Sequence, residues 1–121
     1  STIDGIMEKD NPDIYDYNIP QRLRDLYRTK EYGRWNVDGS VPVCFLATNH
    51  TTGGNSGSPV LNGRGQLVGI NFDRTWESTM SDYEFDVVKC RNIIVDIRYV
   101  LFVIDRIGNA GYLLDEMRFA K

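Results

Sequence analysis

The spacing of apolar residues changes several times along the chain, and each spacing predicts a different element. Residues 1–18 are polar and rich in aspartate, with scattered apolar positions, so we expect a loosely ordered lead-in. Leu23 and Leu26 then recur at helical spacing behind Pro20, which suits a first helical turn because it lacks an N–H. This pattern predicts a helix that ends before Gly33.

The middle of the chain carries short apolar runs that predict strands. Residues 41–48 are almost continuously apolar, and Pro42 places the start of that strand at an edge or a bulge. Residues 67–72 follow Asn62-Gly63, and an Asn-Gly pair between two apolar runs is a strong hairpin signal. A further strand is expected over residues 93–95.

Helical patterns close the chain. Asp96 can cap a helix over residues 97–107, which Gly108 and Asn109 end. A last short helix is indicated by Leu113, Leu114 and Met117.

A long irregular connection covers residues 73–90. Such a connection is usually functional or packed on itself. Its aromatic residues Trp76, Tyr83 and Phe85 are candidates for a pocket wall, although apolar packing under the loop is the commoner role.

Composition restricts the class of protein. The 121 residues are 41% hydrophobic and 26% charged, which indicates a soluble globular body of one domain or part of one. The net charge of −3 and the absence of a basic cluster argue against nucleic-acid binding. The longest apolar stretch is too short to span a membrane. Because the chain starts at Ser1 in a polar stretch, we expect a piece of a longer protein.

Metal and redox chemistry receive little support from the sequence. Cys44 and Cys90 either pair or are buried thiols, and the sequence leaves both open. With one histidine and no Cys-x-x-Cys spacing, no metal site is expected. We predict no metal and no organic cofactor.

The most informative segment is the glycine-rich loop Gly53-Gly54-Asn55-Ser56-Gly57-Ser58-Pro59, which lies between a predicted strand and the hairpin. Glycines let a backbone turn sharply, and the N–H groups of Gly54 and Ser56 can then converge on one oxygen. An ordinary glycine-rich turn is the alternative. We interpret Ser56 as a nucleophile that needs a base to take its proton.

This loop resembles the nucleophile loop of the chymotrypsin superfamily, and its flanks resemble those of bacterial glutamyl endopeptidases. From about Pro20 to the C-terminus the chain is more specifically similar to the dipeptidyl peptidase 7 and 11 family. That similarity rests on Leu26-Tyr27-Arg28-Thr29-Lys30, Gly69-Ile70-Asn71-Phe72-Asp73, Asn92-Ile93-Ile94-Val95-Asp96-Ile97-Arg98-Tyr99-Val100-Leu101-Phe102 and Leu114-Asp115-Glu116-Met117.

The resemblance implies a mainly β fold with flanking helices, the C-terminal portion of a chymotrypsin-like double β-barrel. Residues 19–121 would be the C-terminal part of the catalytic domain, with the second barrel and the C-terminal helices. The family's catalytic His and Asp come from an earlier segment that has no counterpart here. His50, six residues before Ser56, is therefore interpreted as a loop residue. The missing N-terminal part of the same enzyme is expected to be a partner of this chain.

Site residues also follow from the resemblance. The strand after the hairpin, with Asn71 and Phe72, would line the substrate site. Asp73 matches the position whose carboxylate holds the substrate's α-ammonium group. Arg74 matches the position that separates the two branches, and arginine there goes with a preference for Asp or Glu before the scissile bond. Without the resemblance, Asp73-Arg74 would suggest a solvated turn with a weak ion pair.

The implied parent is a secreted, periplasmic or cell-surface bacterial serine exopeptidase. It would release N-terminal dipeptides with Asp or Glu before the cut, whereas the isolated fragment would be inactive and, with an apolar face exposed, prone to form a homodimer. Two alternatives remain at this stage. One is a protease similar to glutamyl endopeptidases without an amine clamp, and the other is a non-catalytic module on a peptidase fold.

Overall fold

Residues 1–76 and 90–120 are described by the structure, which is a computed structural model. They belong to two units, Ser1–Val43 with Arg98–Lys121 and Cys44–Ile97. The boundary predicted after residue 18, between a lead-in and the rest of the chain, differs from the limits of these two units. Tyr83 and Phe85, the predicted pocket walls, lie outside the described residues.

The predicted strands of unit Cys44–Ile97 form one antiparallel sheet in the order β1-β4-β3-β2. The strands are β1 Cys44–Ala47, β2 Pro59–Leu61, β3 Leu67–Arg74 and β4 Asn92–Asp96. A mainly β arrangement of this segment is thereby confirmed.

The first strand is shorter than its apolar run. Val43 N–H donates to Ser1 O (2.9 Å), and Val41 O accepts from Ile3 N–H (2.9 Å). Pro42 forms an isolated bridge with Thr2. The backbone groups of residues 41–43 therefore form hydrogen bonds with the N-terminal segment, and β1 begins only at Cys44.

The hairpin between β2 and β3 confirms the Asn-Gly signal. Asn62 N–H donates to Gln66 O (3.0 Å), and the Asn62 side-chain oxygen accepts from Arg64 N–H (2.9 Å) and Gln66 N–H (3.1 Å). Gly65 has φ +76°, a left-handed conformation that glycine adopts without steric cost. The turn chemistry is therefore entirely local.

The sheet allows no side chain at Gly69. A Cβ there would collide with the Ile94 side chain and lie 2.7 Å from Val95 O. Gly69 pairs with Asp96 of β4 in the register, and Ile94 is fully buried. Close approach of the backbone to its neighbours explains this glycine in a strand.

Gly69→Ala is therefore expected to lower the free energy of unfolding by about 1–3 kcal/mol, the usual cost of overpacking a well-packed core. Denaturant unfolding measures the change. Gly63→Ala is the matched control, because a Cβ at Gly63 meets nothing within 4 Å. Equal stability of the two variants would contradict the close packing at Gly69.

The other unit is helical, with a core in which Tyr32 and Phe102 are fully buried and in edge-to-face contact. Its helices are α1 Ile3–Glu8, α2 Gln21–Thr29 and α3 Ile97–Phe102, with 3₁₀ turns at Tyr15–Tyr17, Gly33–Trp35 and Gly111–Glu116. No helix among the described residues is both long and apolar enough to cross a membrane.

The predicted helix over residues 97–107 is α-helical only as far as Phe102. A π-helical turn, Val103–Ile107, follows it, and Gly108 N–H donates to Val103 O five residues earlier (2.7 Å). Asn109 has φ +53° and Ala110 N–H donates to Ile104 O (2.9 Å). The stop at Gly108-Asn109 is confirmed, and the widened last turn results from these two long backbone bonds.

The lead-in is more regular than its polar composition suggests. Ile3 is fully buried at the start of α1. Further along, both oxygens of Asp10 accept hydrogen bonds from Arg24 (2.7 and 2.8 Å). These hydrogen bonds lower the pKa of the Asp10 carboxyl, against the opposing effect of desolvation. Contacts with later residues order this segment.

Cys44 and Cys90 are not joined by a disulfide. Cys44 lies opposite Val95 in the register, whereas Cys90 precedes β4 at its other end. Five residues of extended chain separate the two positions by about 16 Å, far beyond the reach of a disulfide. The disulfide alternative is excluded, and Cys90 is the buried thiol.

Candidate active site

The glycine-rich loop consists of two consecutive turns that share Asn55. Asn55 N–H donates to Thr52 O (3.2 Å), and Ser58 N–H donates to Asn55 O (3.0 Å). Gly54 (φ +98°) and Gly57 (φ +87°) occupy the third position of each turn. A positive φ at that position is the mark of a type II turn and requires glycine. The spacing of the glycines therefore fixes the loop conformation.

The second turn presents Ser56 to solvent and fastens it to β3. Ser56 Oγ donates to Phe72 O at 3.4 Å. Gly57 N–H donates to Asn71 O (2.7 Å), and Asn71 N–H donates to Ser58 O (2.9 Å). The chain just after Ser56 is thus held by two short backbone bonds to one residue of β3.

A β-bulge interrupts β3 beside the loop. Asn71 pairs with Ile94 and Asp73 with Ile93, so Phe72 is an extra residue opposite β4. Bulges are common next to active sites, where they re-aim side chains. The carbonyl of this extra residue is the one that faces the Ser56 hydroxyl.

The N–H groups of Gly54 and Ser56 have no acceptor among residues 1–76 and 90–120. Both residues are exposed. These two N–H groups, one on either side of Asn55, can therefore donate hydrogen bonds to an external oxygen, which is the chemistry an oxyanion site needs.

A cleft of about 120 Å³ lies between the loop and the end of β3. It is lined by Thr51, Thr52, Gly53, Ser56, Asn71, Phe72, Asp73 and Arg74. The structure thus brings the predicted site residues Ser56, Asn71, Phe72, Asp73 and Arg74 into one cleft. Gly54, which was assigned a backbone role, is not part of the lining.

The two charged residues of the cleft do not pair with each other through their side chains. The exposed Asp73 carboxylate accepts Arg74 N–H (2.8 Å), and within the described chain it has no salt bridge. Arg74 is half-buried, and its Nη1 donates to Thr51 O (3.2 Å) at the entrance of the loop. A surface ion pair, the simplest explanation of Asp-Arg in the sequence, is therefore not what these residues form.

His50 is exposed and makes no hydrogen bond to Ser56, whose hydroxyl contacts Phe72 O. The interpretation of His50 as a loop residue agrees with this geometry. Trp76 is 84% exposed, so its ring is not part of a core. Across the described ranges, no group of three His, Cys, Asp or Glu side chains is arranged to hold a metal ion.

Asn92, the buried partner of the predicted site residue Asn71, was missed by the sequence reasoning. Asn92 and Asn71 are 1% and 5% exposed. Asn92 Nδ2 donates to Asn71 Oδ1 (2.9 Å), and Asn71 Nδ2 donates to Asn55 O (3.2 Å). Asn49 N–H donates to Asn92 Oδ1 (3.2 Å). The available signal was a lone asparagine at the head of the apolar run 93–95.

Comparison with known proteins supports the interpretation of the loop as part of a peptidase. The model of the family Peptidase S46 matches residues 1–119. An Asp/Glu-specific dipeptidyl-peptidase of Capnocytophaga gingivalis is 56% identical over all of this chain and 17% of its own length. A dipeptidyl-peptidase 7 of Phocaeicola vulgatus is 50% identical over 97% of this chain and 16% of its own.

Solved structures of relatives contain a segment with the same fold as this chain. The crystal structure of Porphyromonas endodontalis DPP11 in complex with the dipeptide Arg-Asp has a TM-score of 0.93 and 51% identity. The similarity covers 98% of this chain and 17% of that one. This chain therefore spans about one sixth of the length of these relatives. The resemblance seen in the sequence is confirmed: the chain belongs to the peptidase S46 family.

Proposed function

We propose that this chain is the nucleophile-bearing segment of a longer serine dipeptidyl peptidase that releases N-terminal dipeptides with Asp or Glu before the scissile bond. One observation carries the proposal: a single cleft holds an exposed serine together with a guanidinium and a carboxylate that has no salt bridge to the described residues. The names of the relatives support the same activity.

Ser56 Oγ attacks the scissile carbonyl carbon while a general base takes its proton. The oxyanion that forms accepts hydrogen bonds from the N–H groups of Gly54 and Ser56. Collapse breaks the C–N bond and releases the shortened peptide as an amine, after which water hydrolyses the acyl enzyme. Among the described contacts His50 makes no hydrogen bond to Ser56, so we assign the base to residues of the longer protein. The isolated chain is accordingly inactive.

We assign the sheet to the second barrel of a chymotrypsin-like pair. The antiparallel strands and the bulge suit that architecture. Leu46, Leu61 and Phe72 are each about half exposed in this unit, which is what a sheet covered by further protein would show.

Asp73 is the group that makes the enzyme an exopeptidase. A substrate with a free N-terminus carries an ammonium group at a fixed distance from the second peptide bond. A carboxylate held at the end of β3, in the cleft of Ser56, binds that ammonium group and so sets where the cut occurs.

Arg74 reads the side chain before the cut. Its contact with Thr51 O fixes one nitrogen of the guanidinium at the loop entrance. The planar fork matches a carboxylate in two-point geometry, which favours Asp and Glu over uncharged residues. An endopeptidase of the glutamyl type would need no unpaired Asp73 carboxylate, so the exopeptidase is the better supported function.

The test is to compare free and N-acetylated peptides as substrates of the full-length protein. We expect the free peptides to be cleaved and the acetylated ones to resist. Asp73→Asn should lower kcat/KM on free peptides about 10- to 100-fold, because a charge-assisted hydrogen bond contributes roughly 1.5–3 kcal/mol.

Asp115→Asn is the matched control, since Asp115 is also exposed but lies in the other unit. Its kcat/KM should equal that of the wild type. Cleavage of acetylated peptides as fast as free ones would remove the role of Asp73 and point to an endopeptidase.

A further inference from the structure

We propose that Asn92 is a positioning residue for the nucleophile: it acts through the Asn71 side chain on Asn55, the residue before Ser56. This inference deepens the proposed function and rests on it. Asn92 lies in β4 and does not line the cleft that holds Ser56; it lines a separate cavity of about 180 Å³ behind the loop, together with Asn55 and Asn71. Its effect on the reaction is therefore indirect.

The contacts form a continuous relay with a defined direction. It begins at a backbone donor, Asn49 N–H, and ends at a backbone acceptor, Asn55 O. Asn92 must turn its oxygen to Asn49, which leaves its nitrogen for Asn71, whose nitrogen then meets Asn55. The two backbone ends thus fix the orientation of both amides.

Burial makes this relay stiff. Both side chains are at least 95% buried, and every side-chain oxygen and nitrogen in them has a partner. A buried polar group that loses its partner costs stability, so each hydrogen bond resists opening. Neighbouring amide bonds of this kind also polarise and strengthen one another.

The relay holds the part of the loop that comes before Ser56. After Ser56, Gly57 and Ser58 are bonded directly to the main chain of Asn71. Before Ser56, the described bonds between the loop and the sheet involve side chains: Asn71 to Asn55 O, and Arg74 to Thr51 O. Asn92 fixes the Asn71 amide, and so determines where Asn55 and the flanking N–H donors lie.

The test is Asn92→Ala in the full-length protein. A displacement of the nucleophile by about 1 Å costs on the order of 100-fold in rate. We expect kcat to fall between about 10- and 100-fold with KM changed less than about threefold, because the substrate contacts of Asp73 and Arg74 remain. Phosphonylation of Ser56 by a serine-directed fluorophosphonate should slow in parallel.

The matched control is Ile94→Val, a fully buried change in the same strand with no polar contact to the loop. It should lower the melting temperature and leave kcat unchanged. Asn71→Ala combined with Asn92→Ala should be no slower than Asn71→Ala alone, since both act on one relay. Asn92→Asp keeps an acceptor for Asn49 N–H but sets a carboxylate oxygen against Asn71 Oδ1 in place of the donor, and it is the second variant to measure if Asn92→Ala does not fold.

Two outcomes overturn the inference. One is a kcat for Asn92→Ala and Asn92→Asp equal to that of wild type. The other is that Ile94→Val loses as much kcat for each degree of lost melting temperature as Asn92→Ala does. Failure of the proposed function is distinct, because then the wild-type protein itself releases no dipeptides.

Discussion

Ser56→Ala should lower kcat/KM of the full-length protein by about 10⁴- to 10⁶-fold, the loss that removal of a serine nucleophile causes. The alanine cannot form the acyl intermediate, while the two turns of the loop and their backbone bonds remain. The measurement is release of dipeptides from a peptide with Asp or Glu at its second position, together with labelling by a fluorophosphonate. Labelling should disappear completely.

Ser58→Ala is the matched control, because it shows whether loss of another serine from the same loop also lowers activity. Ser58 is half-buried, and its backbone groups bond Asn55 and Asn71. Its hydroxyl makes no hydrogen bond to the described residues. This variant should keep activity within about threefold of wild type, as expected for a side chain outside the reaction. Residual turnover above a tenth of wild type in Ser56→Ala would contradict the assignment of the nucleophile.

Arg74→Gly should abolish the acidic preference. The loss of a guanidinium–carboxylate pair in a partly desolvated cleft corresponds to a decrease of about 100-fold or more in kcat/KM for peptides with Asp or Glu before the cut. Peptides with an apolar residue there should be cleaved at least as well as by wild type, since the glycine leaves room. A panel of dipeptide substrates that differ only at that residue measures the change.

Two variants sharpen that test. Arg74→Lys keeps the charge but loses the planar fork, so its acidic preference should be intermediate. Arg64→Gly removes an exposed arginine from the hairpin turn and should leave the preference intact. An unchanged acidic preference in Arg74→Gly would end the assignment of Arg74.

The loop and the hairpin could be predicted because their determinants are local. Gly54 and Gly57 sit at the third positions of two turns, and Asn62 closes the hairpin with its own side chain. Turn residues of this kind act over four or five positions of sequence. The sequence therefore contains all the information that these structures need.

The bulge, the amide relay and the ordered lead-in could not be predicted, because each depends on partners far along the chain. Asn92 contacts Asn71 across 21 positions, and Val43 is bonded to the first residue. A single sequence shows which residues are apolar or polar but not which strands pair in which register. The helix after β4 was misjudged for a different reason, since one widened turn at a helix end, closed by the bond from Gly108 N–H to Val103 O, is too short to change the apolar pattern visibly.

The extra residue at Phe72 also constrains how substrate preference can change in this scaffold. The bulge absorbs this residue, because Asn71, Asp73 and Arg74 lie opposite Ile94, Ile93 and Asn92 in unbroken order on β4. Directly opposed residues of an antiparallel pair share a face of the sheet, so loss of Phe72 would leave Asp73 and Arg74 on their present faces. It would remove the carbonyl that accepts from the Ser56 hydroxyl. Preference can therefore drift by substitution at position 74, whereas a change of length here would disturb the nucleophile itself.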